Sequence, residues 1–384
     1  MNSRDSEFIA GLFIDKGYKL VESPEKADVV LFNTCSVREH AEHRAISNMG
    51  ELLRTENQKT KTTNQKPKIF GIVGCMAQAM KERLFEYLPG LDIICGTGDI
   101  AVLPELVESV EESRDVKCKT WDKRRRTQKI IAVKNINKEA VEINPEYRES
   151  EKHAYVSIMR GCNNFCSYCV VPYVRGNERS RSPEAIIDEI KSLGGRGIND
   201  ITLLGQNVNS YRPKTVGHRP KTYDFVNLLE GVNKIKGIER VNFFTSHPKD
   251  ATTSLFKAMR DLDKVIKHLH LPLQSGSDRI LKLMNRGYSV RKYMNLAEKA
   301  RDTIPDLRLT TDIIVGFPAE TEKDFKQTLD MMKKTKFDLA YIFKYSSRPG
   351  TRASLMKDDV PAEEKKRRHK ILLDLQKGLS AKKK

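Results

Sequence analysis

In its N-terminal part the chain alternates short apolar runs with longer polar stretches in which apolar residues recur at helical spacing. Asp28-Val-Val-Leu-Phe-Asn33, Lys68-Ile-Phe-Gly-Ile-Val-Gly74 and Leu91-Asp-Ile-Ile-Cys95 read as buried strands. Helices are predicted between and after them, at Ser36 to about Thr55, Gln78 to Tyr87 and Leu103 to Glu112. Strand–helix alternation with short loops predicts a parallel sheet covered on both faces, a doubly wound α/β domain over residues 1–115. Residues 116–150 show no clear period and read as a basic linker or hairpin. A second strand–helix series starts at His153. Its strands are Ala154–Met159, Asp200–Leu204, Arg240–Phe244, Lys267–Leu271, Arg308–Val315 and Asp338–Phe343, with helices such as Tyr293–Ile304 and Glu322–Lys334. Ser182-Pro183-Glu184 starts a helix, with Ser as cap and Pro in the first turn, and Gly194-Gly195 is placed to stop it. About six βα units over residues 151–355 predict a partial or open barrel, whose chemistry belongs at the carboxyl ends of the strands. Residues 356–384 read as a basic helix or tail.

Composition narrows the classes. With 384 residues and 39% hydrophobic content, the chain can build two sizeable cores under a highly charged exterior. No apolar run approaches the ~18 residues that span a bilayer, so a soluble, cytoplasmic protein with no membrane partner is expected. Lys and Arg number 69 against 51 Asp and Glu, a net charge of +18 that favours polyanions, nucleic acid above all, unless it serves only solubility. The charge is concentrated in Lys117–Lys134, which contains Lys123-Arg-Arg-Arg126, in Glu364-Lys-Lys-Arg-Arg-His-Lys370 and in Lys382-Lys-Lys384. These runs are either solvated tails or phosphate contacts. The polar stretch Glu56–Lys68 reads as a flexible surface loop.

Cysteine spacing brings chemistry in. Of seven cysteines, three stand in Gly161-Cys-Asn-Asn-Phe-Cys-Ser-Tyr-Cys169, a C-x3-C-x2-C run. Three thiolates so close can hold three corners of a [4Fe-4S] cube and leave the fourth iron open. Electron-transfer clusters use four cysteines, so an open corner points to a cluster that binds and cleaves a small molecule, usually S-adenosylmethionine. Structural zinc needs a fourth ligand, and the next histidine is His218. Disulfides fit poorly with an odd count and a reducing compartment. Cys35 and Cys75 close two strands of the first domain and are either a joint site on one sheet edge or two buried thiols. Polar turns follow the later strands: Gly205-Gln-Asn-Val-Asn-Ser-Tyr211, Thr245-Ser-His-Pro248, Gln274-Ser-Gly-Ser277, Gly316-Phe-Pro-Ala-Glu320 and Tyr345–Thr351. Together they favour a binding surface for a polar cofactor. Asp312 is equally a functional carboxylate or a satisfied core acid.

The ordered motifs carry a resemblance. Asn33-Thr-Cys-Ser-Val-Arg38, Gly74-Cys-Met-Ala-Gln78, Gly161–Cys169 and Val171-Pro-Tyr-Val-Arg-Gly-Asn-Glu-Arg-Ser-Arg181 resemble the radical S-adenosylmethionine methylthiotransferases. The Gly205–Tyr211 run, Leu271-Pro-Leu-Gln-Ser-Gly-Ser277, Met284-Asn-Arg-Gly-Tyr288 and Thr311-Asp-Ile-Ile-Val-Gly-Phe-Pro318 look like the MiaB branch of that family. The resemblance runs from the first residues to about Thr351.

It implies a two-cluster enzyme. A [4Fe-4S] cluster on Cys162, Cys166 and Cys169 would bind and cleave S-adenosylmethionine. A second, auxiliary cluster on Cys35 and Cys75 would carry the sulfur. The implied reaction places a methylthio group at C2 of an isopentenyl-adenosine beside a tRNA anticodon. Within the family the alternatives are a threonylcarbamoyl-adenosine or a ribosomal protein as substrate. An RNA-binding remnant that cleaves S-adenosylmethionine without sulfur insertion is a third reading. Implied partners are the tRNA anticodon stem-loop, an electron donor such as flavodoxin or ferredoxin, and iron–sulfur or sulfur donor proteins, with the enzyme itself a monomer. Gly205, Gln206, Ser246, Gln274 and Asp312 are assigned to the S-adenosylmethionine pocket. Arg175, Arg179 and Arg181 either contact RNA or cofactor or form ordinary ion pairs. The family's first auxiliary ligand lies in a Gly-Cys-x-Met-Asn run, and Met1-Asn2 with Asp5-Ser6-Glu7 resembles the residues just past that cysteine. The expectation is a chain short of that strand and ligand, and of the family's C-terminal β-barrel RNA module. Cys95 would then be either a stand-in ligand or a small buried thiol, and Cys118 a free thiol.

Overall fold

The computed structural model describes residues 1–36, 39–62, 67–117, 129–134, 136, 146–213 and 223–381. Cys118, Trp121, Lys123–Arg126, His218, Lys382–Lys384 and the end of the Asn33–Arg38 motif lie outside the described residues. The chain divides into two compact units, Met1–Glu149 with Tyr173–Gly176, and Ser150–Pro172 with Asn177–Lys384.

The first unit runs α1 (Asn2–Asp15), β1 (Val29–Thr34), α2 (Glu39–Thr62), β2 (Ile69–Gly74), α3 (Cys75–Met80), α4 (Leu84–Tyr87), β3 (Ile93–Cys95), α5 (Leu103–Lys117) and β4 (Ile130–Ala132). The strands lie in the order β1-β2-β3-β4, all parallel, with Val29 opposite Ile69 and Thr34 opposite Gly74. Alternation along the buried strands makes a core on each face. Ile69, Val73, Ile93 and Cys95 pack with Phe8 and Leu12 of α1 and Val107 of α5. Phe70, Ile72 and Ile94 pack with Met49 of α2 and Leu84 of α4. The parallel sheet predicted from the alternation is therefore present, with apolar cover on both sides.

Two differences have simple causes. The strand β4 is three residues long, too short to show a period. The stretch from Glu56, read as a loop, stays helical to Thr62. Glu, Gln and Lys are strong helix formers, and no proline interrupts them before Pro67.

The second unit carries β5 (His153–Ser157), β6 (Met159–Arg160), β7 (Arg179–Ser180), α7 (Pro183–Gly195), β8 (Asp200–Leu204), α8 (Phe225–Asn233), β9 (Arg240–Phe243), α9 (Thr253–Asp261), β10 (His268–His270), α10 (Asp278–Leu283), α11 (Val290–Thr303), β11 (Arg308–Val315), α12 (Glu322–Thr335), β12 (Leu339–Lys344) and α13 (Ala362–Ala381). The one-turn helix α6 (Val171–Arg175) lies where the chain passes between the units. Parallel sheets β5-β8-β9 and β10-β11-β12 are joined through a parallel bridge from Val241 to Val265, so six strands follow one another in sequence order. This is the partial (βα)6 barrel that the second strand–helix series predicts.

One face of each strand, through Val156, Ile201, Val241, Leu269, Ile313 and Ile342, packs on the helices. Ser182 caps α7 as expected, its Oγ accepting from the Ala185 N–H at 3.2 Å. The helix ends at Gly195 as expected, but the left-handed residue is Gly197, at φ +87°. Gly194 serves close packing, since a Cβ there would meet the Lys236 carbonyl oxygen at 3.1 Å.

The basic run at 364–370 belongs to this unit and is largely neutralised from within. Arg368 and Glu320 are both buried and meet at 3.0 Å, and Lys365 reaches Asp358 at 2.6 Å. Burial on β12 and α12 turns part of a run read as tail or phosphate contact into structural ion pairs. No described helix is long and apolar enough to cross a membrane.

Candidate active site

The carboxyl end of β5 leads into a two-stranded ribbon, β6 against β7, with Met159 opposite Ser180. The cysteine loop leaves this ribbon through Gly161 at φ +76° and turns at Phe165, φ +46°. The Cys169 N–H donates to the Cys166 carbonyl at 2.9 Å, closing a turn that collects two of the cysteines. The segment Met284–Tyr288 fastens the loop from outside. Met284 O accepts from Ser167 N at 3.0 Å, Asn285 Nδ2 donates to Phe165 O at 3.0 Å, and Arg286 Nη1 donates to Cys166 Sγ at 3.3 Å.

All three thiols are free, Cys166 buried and the other two partly so. Burial pushes the Cys169 thiol up to about 12, and the neighbouring Cys166 adds to the shift. Burial also raises Cys162, against the N–H of Asn164 and again with Cys166. The three sulfurs thus feel one another in a poorly solvated loop.

Among the described residues no three His, Cys, Asp or Glu side chains close on a single metal ion.

Buried polar atoms without partners line the neighbouring strand ends. They are Gln206 Oε1 after β8, Ser246 Oγ and His247 Nε2 after β9, and Gln274 Oε1 after β10. An unsatisfied buried polar atom costs ~1–3 kcal/mol, so four on one rim point to a polar ligand. His247 is neutral at ordinary pH: burial, then the positive charges of Arg286, Lys249 and Lys292, push it down to about 2. A Cβ at Gly205 would lie 2.4 Å from Met159 Cγ, so the glycine lets Met159 pack against the end of β8.

Asp312 differs. It is half-buried on β11 and pairs with His270 Nε2 at 3.2 Å. Its carbonyl, rather than its carboxylate, holds the Gln274 N–H at 2.8 Å. A chain of polar groups continues along the strand face opposite the helices. Thr310 Oγ1 bridges His268 and His270 at 2.9 and 3.0 Å, and His153 meets Thr202 at 2.9 Å. Closed barrels fill that space with branched apolar side chains; here it is polar, with Tyr341 exposed against His270. Sequence reasoning missed these histidines and Arg286. The signal was the alternation in Lys267-His-Leu-His-Leu271, polar on the face away from the helices.

In the first unit Cys35 and Cys75 come directly after the register pair Thr34 and Gly74, so they share one sheet edge. Gly74, at φ +94°, admits no Cβ, which would lie 2.6 Å from Asn33 Oδ1. Burial raises the Cys75 thiol; Arg175 opposes that, and Cys35 adds to it. Arg175 Nε donates to Cys75 Sγ at 3.2 Å and Nη2 to Asp5 at 2.7 Å. Arg181 is instead an internal pair, with Glu189 at 2.7 Å. Arg179 lies on β7, half-buried. Cys95 is fully buried in the α1–α5 core, and burial raises its thiol far above the ordinary range. It is a core thiol; strand alternation turns it into the apolar face.

Residues 156–332 match the Radical SAM superfamily and residues 1–96 the Uncharacterized protein family UPF0004. A tRNA-2-methylthio-N(6)-dimethylallyladenosine synthase of Caldicellulosiruptor saccharolyticus is 46% identical over 100% of this chain and 77% of its own length. The chain belongs to that synthase family. A synthase of Acetivibrio thermocellus is 45% identical, over 99% of this chain and 75% of its length. Among solved structures, the radical S-adenosylmethionine methyltransferase TsrM from Kitasatospora setae superposes with TM-score 0.57 at 15% identity, over 92% of this chain and 69% of its own. The cobalamin-dependent enzyme OxsB gives 0.56 at 15%, over 96% and 50%. At such identity these two support the fold alone.

For a member of this family the residues fit the implied groups in kind. Three free thiols in one dry loop suit a three-legged cluster, with a rim of unpartnered polar atoms beside them for a polar cofactor.

Proposed function

We propose that this chain inserts a methylthio group at C2 of an isopentenyl-adenosine beside a tRNA anticodon. The reading is carried by the loop of Cys162, Cys166 and Cys169 under a rim of unpartnered polar atoms, in a chain that matches the synthase family from end to end. When bound, a [4Fe-4S] cluster with S-adenosylmethionine supplies the radical for an unactivated C–H bond, and an auxiliary cluster supplies the sulfur.

The residues divide the remaining work. Cys162, Cys166 and Cys169 hold the first cluster, and Cys35 and Cys75 contribute to the second. Gln206, Ser246, His247 and Gln274 offer hydrogen bonds to the polar parts of S-adenosylmethionine, and Gly205 lets Met159 and Val208 pack beneath them. The buried loop and the floor of Met159 and Val208 exclude water from a reactive species. The polar strand face, with Tyr341 and the histidines, receives the base. The net charge of +18 serves the tRNA phosphates. An electron donor and a sulfur donor complete the cycle.

The test is anaerobic reconstitution followed by incubation with S-adenosylmethionine, a reductant and isopentenylated tRNA. Deoxyadenosine together with methylthio-adenosine in the digested tRNA is expected. Deoxyadenosine alone would mean cleavage without sulfur insertion; neither product would overturn the reading.

A further inference from the structure

Arg286 is 5% exposed, and each nitrogen of its guanidinium donates a hydrogen bond. Nε donates to Tyr288 Oη at 3.0 Å, Nη2 to the Pro272 carbonyl at 3.1 Å, and Nη1 to Cys166 Sγ at 3.3 Å and Tyr168 Oη at 3.4 Å. None of these partners is a carboxylate. Two other buried arginines each meet one: Arg175 meets Asp5, and Arg368 meets Glu320. A buried cation without an anion is strongly unfavourable. The group in contact with Arg286 that becomes anionic when it binds iron is the Cys166 thiolate.

We propose that Arg286 is a positioning residue for the radical cluster: its guanidinium is the built-in counter-cation of the Cys166 corner and favours the reduced state. The proposal rests on Cys166 being a cluster ligand. A positive charge and an N–H···S bond both stabilise added electron density on the sulfur. Hydrogen bonds to cluster sulfurs and local charge are known levers on cluster potential. Tyr288 and Pro272 hold the guanidinium in place. Tyr288 Oη donates in turn to Leu273 O at 2.8 Å, just before Gln274 of the cofactor rim. The same arginine thereby links a cluster ligand to the strand end that faces S-adenosylmethionine.

The experiment uses the full chain with Cys35→Ser and Cys75→Ser, so that only the loop cluster is read. Iron per chain and an EPR-monitored redox titration are recorded with Arg286, Arg286→Lys and Arg286→Gln. In Arg286→Gln the reduced-to-oxidised ratio at a fixed poise is expected to fall about tenfold, which is ~59 mV for one electron. Arg286→Lys should shift less in the same direction, because it keeps the charge but cannot span Tyr288 and Cys166 together. If Arg286→Gln does not take up iron, Arg286→Lys decides: a negative shift supports the proposal, and an unshifted potential overturns it. Wild-type potentials in both iron-loaded variants overturn it as well. No iron in the chain with Arg286 intact would remove the cluster assignment, and this role with it.

Discussion

Arg175 Nε lies 3.2 Å from Cys75 Sγ while the other end of its guanidinium holds the fully buried Asp5 at 2.7 Å. One cation therefore serves a proposed cluster ligand and a buried carboxylate of the same unit. Removing it takes the guanidinium away from a fully buried carboxylate. Arg175→Met is expected to destabilise the first unit by about 3–5 kcal/mol, read by urea unfolding. Adding Asp5→Asn should recover part of the loss. A cost below about 1 kcal/mol in the single variant would show that the pair is not holding the sheet edge.

Serine at Cys162, Cys166 or Cys169 removes one of the three legs proposed for the radical cluster. Each variant is expected to lose S-adenosylmethionine cleavage and most of the iron bound by the loop. The checks are chromatography of deoxyadenosine and an iron assay. Retained cleavage in any one variant would refute that residue's role.

The α13 helix tests burial against exposure. Arg368 and Glu320 are buried together, whereas Arg367 pairs with Glu322 at the surface. Arg368→Met should cost about 3 kcal/mol or more, because Glu320 stays buried without its partner. Arg367→Met should cost less than about 1 kcal/mol. Thermal unfolding of the two variants side by side gives the answer; equal losses would contradict the assignment.

Gly276 sits against the backbone of α12, where an added Cβ would meet Thr328 Cα at 2.5 Å and Gln327 O at 2.6 Å. Neither atom is the tip of a flexible side chain. Gly276→Ala is expected to destabilise by about 1–3 kcal/mol or more. It should also displace Gln274 and so weaken S-adenosylmethionine binding, which equilibrium dialysis of the loaded enzyme would detect.

Acid should loosen the second unit through its neutral histidines. Burial, then Arg308, pushes His268 down to about 4, and His247 is lower still. An unfolded histidine titrates near ~6.5. Below that pH the unfolded chain takes up protons that the native imidazoles refuse, so their contribution is whole above pH ~6.5 and shrinks as pH falls toward 4. The melting temperature should drop between pH 7.5 and 5, and His268→Gln should drop less steeply. Parallel slopes would exclude His268 as a source.

Much of this was legible along the chain because strand and helix periods are local. The strands Asp200–Leu204 and Arg308–Val315 stand where the apolar runs place them. How α7 stops was less so: it ends at Gly195, but the left-handed residue is Gly197, and Gly194 is required by the nearby backbone of Lys236 rather than by its own φ. Cys95 shows a second limit. Its position at a strand end is a sequence fact, but which face it takes depends on the pairing with Val73 and Ala132.

What the sequence determined by itself is the order of the elements, the three-cysteine loop and the cluster chemistry its spacing allows, since spacing and period need no fold. The tertiary structure decided which charges are already spent. Arg368 and Lys365 lie in a basic run yet are paired inside the second unit, while Arg286, one cation in a polar motif, ends against Cys166. A run of residues shows how much charge it carries. Only packing, which brings Arg286 to a cysteine 120 positions away, shows which counter-charge each one meets.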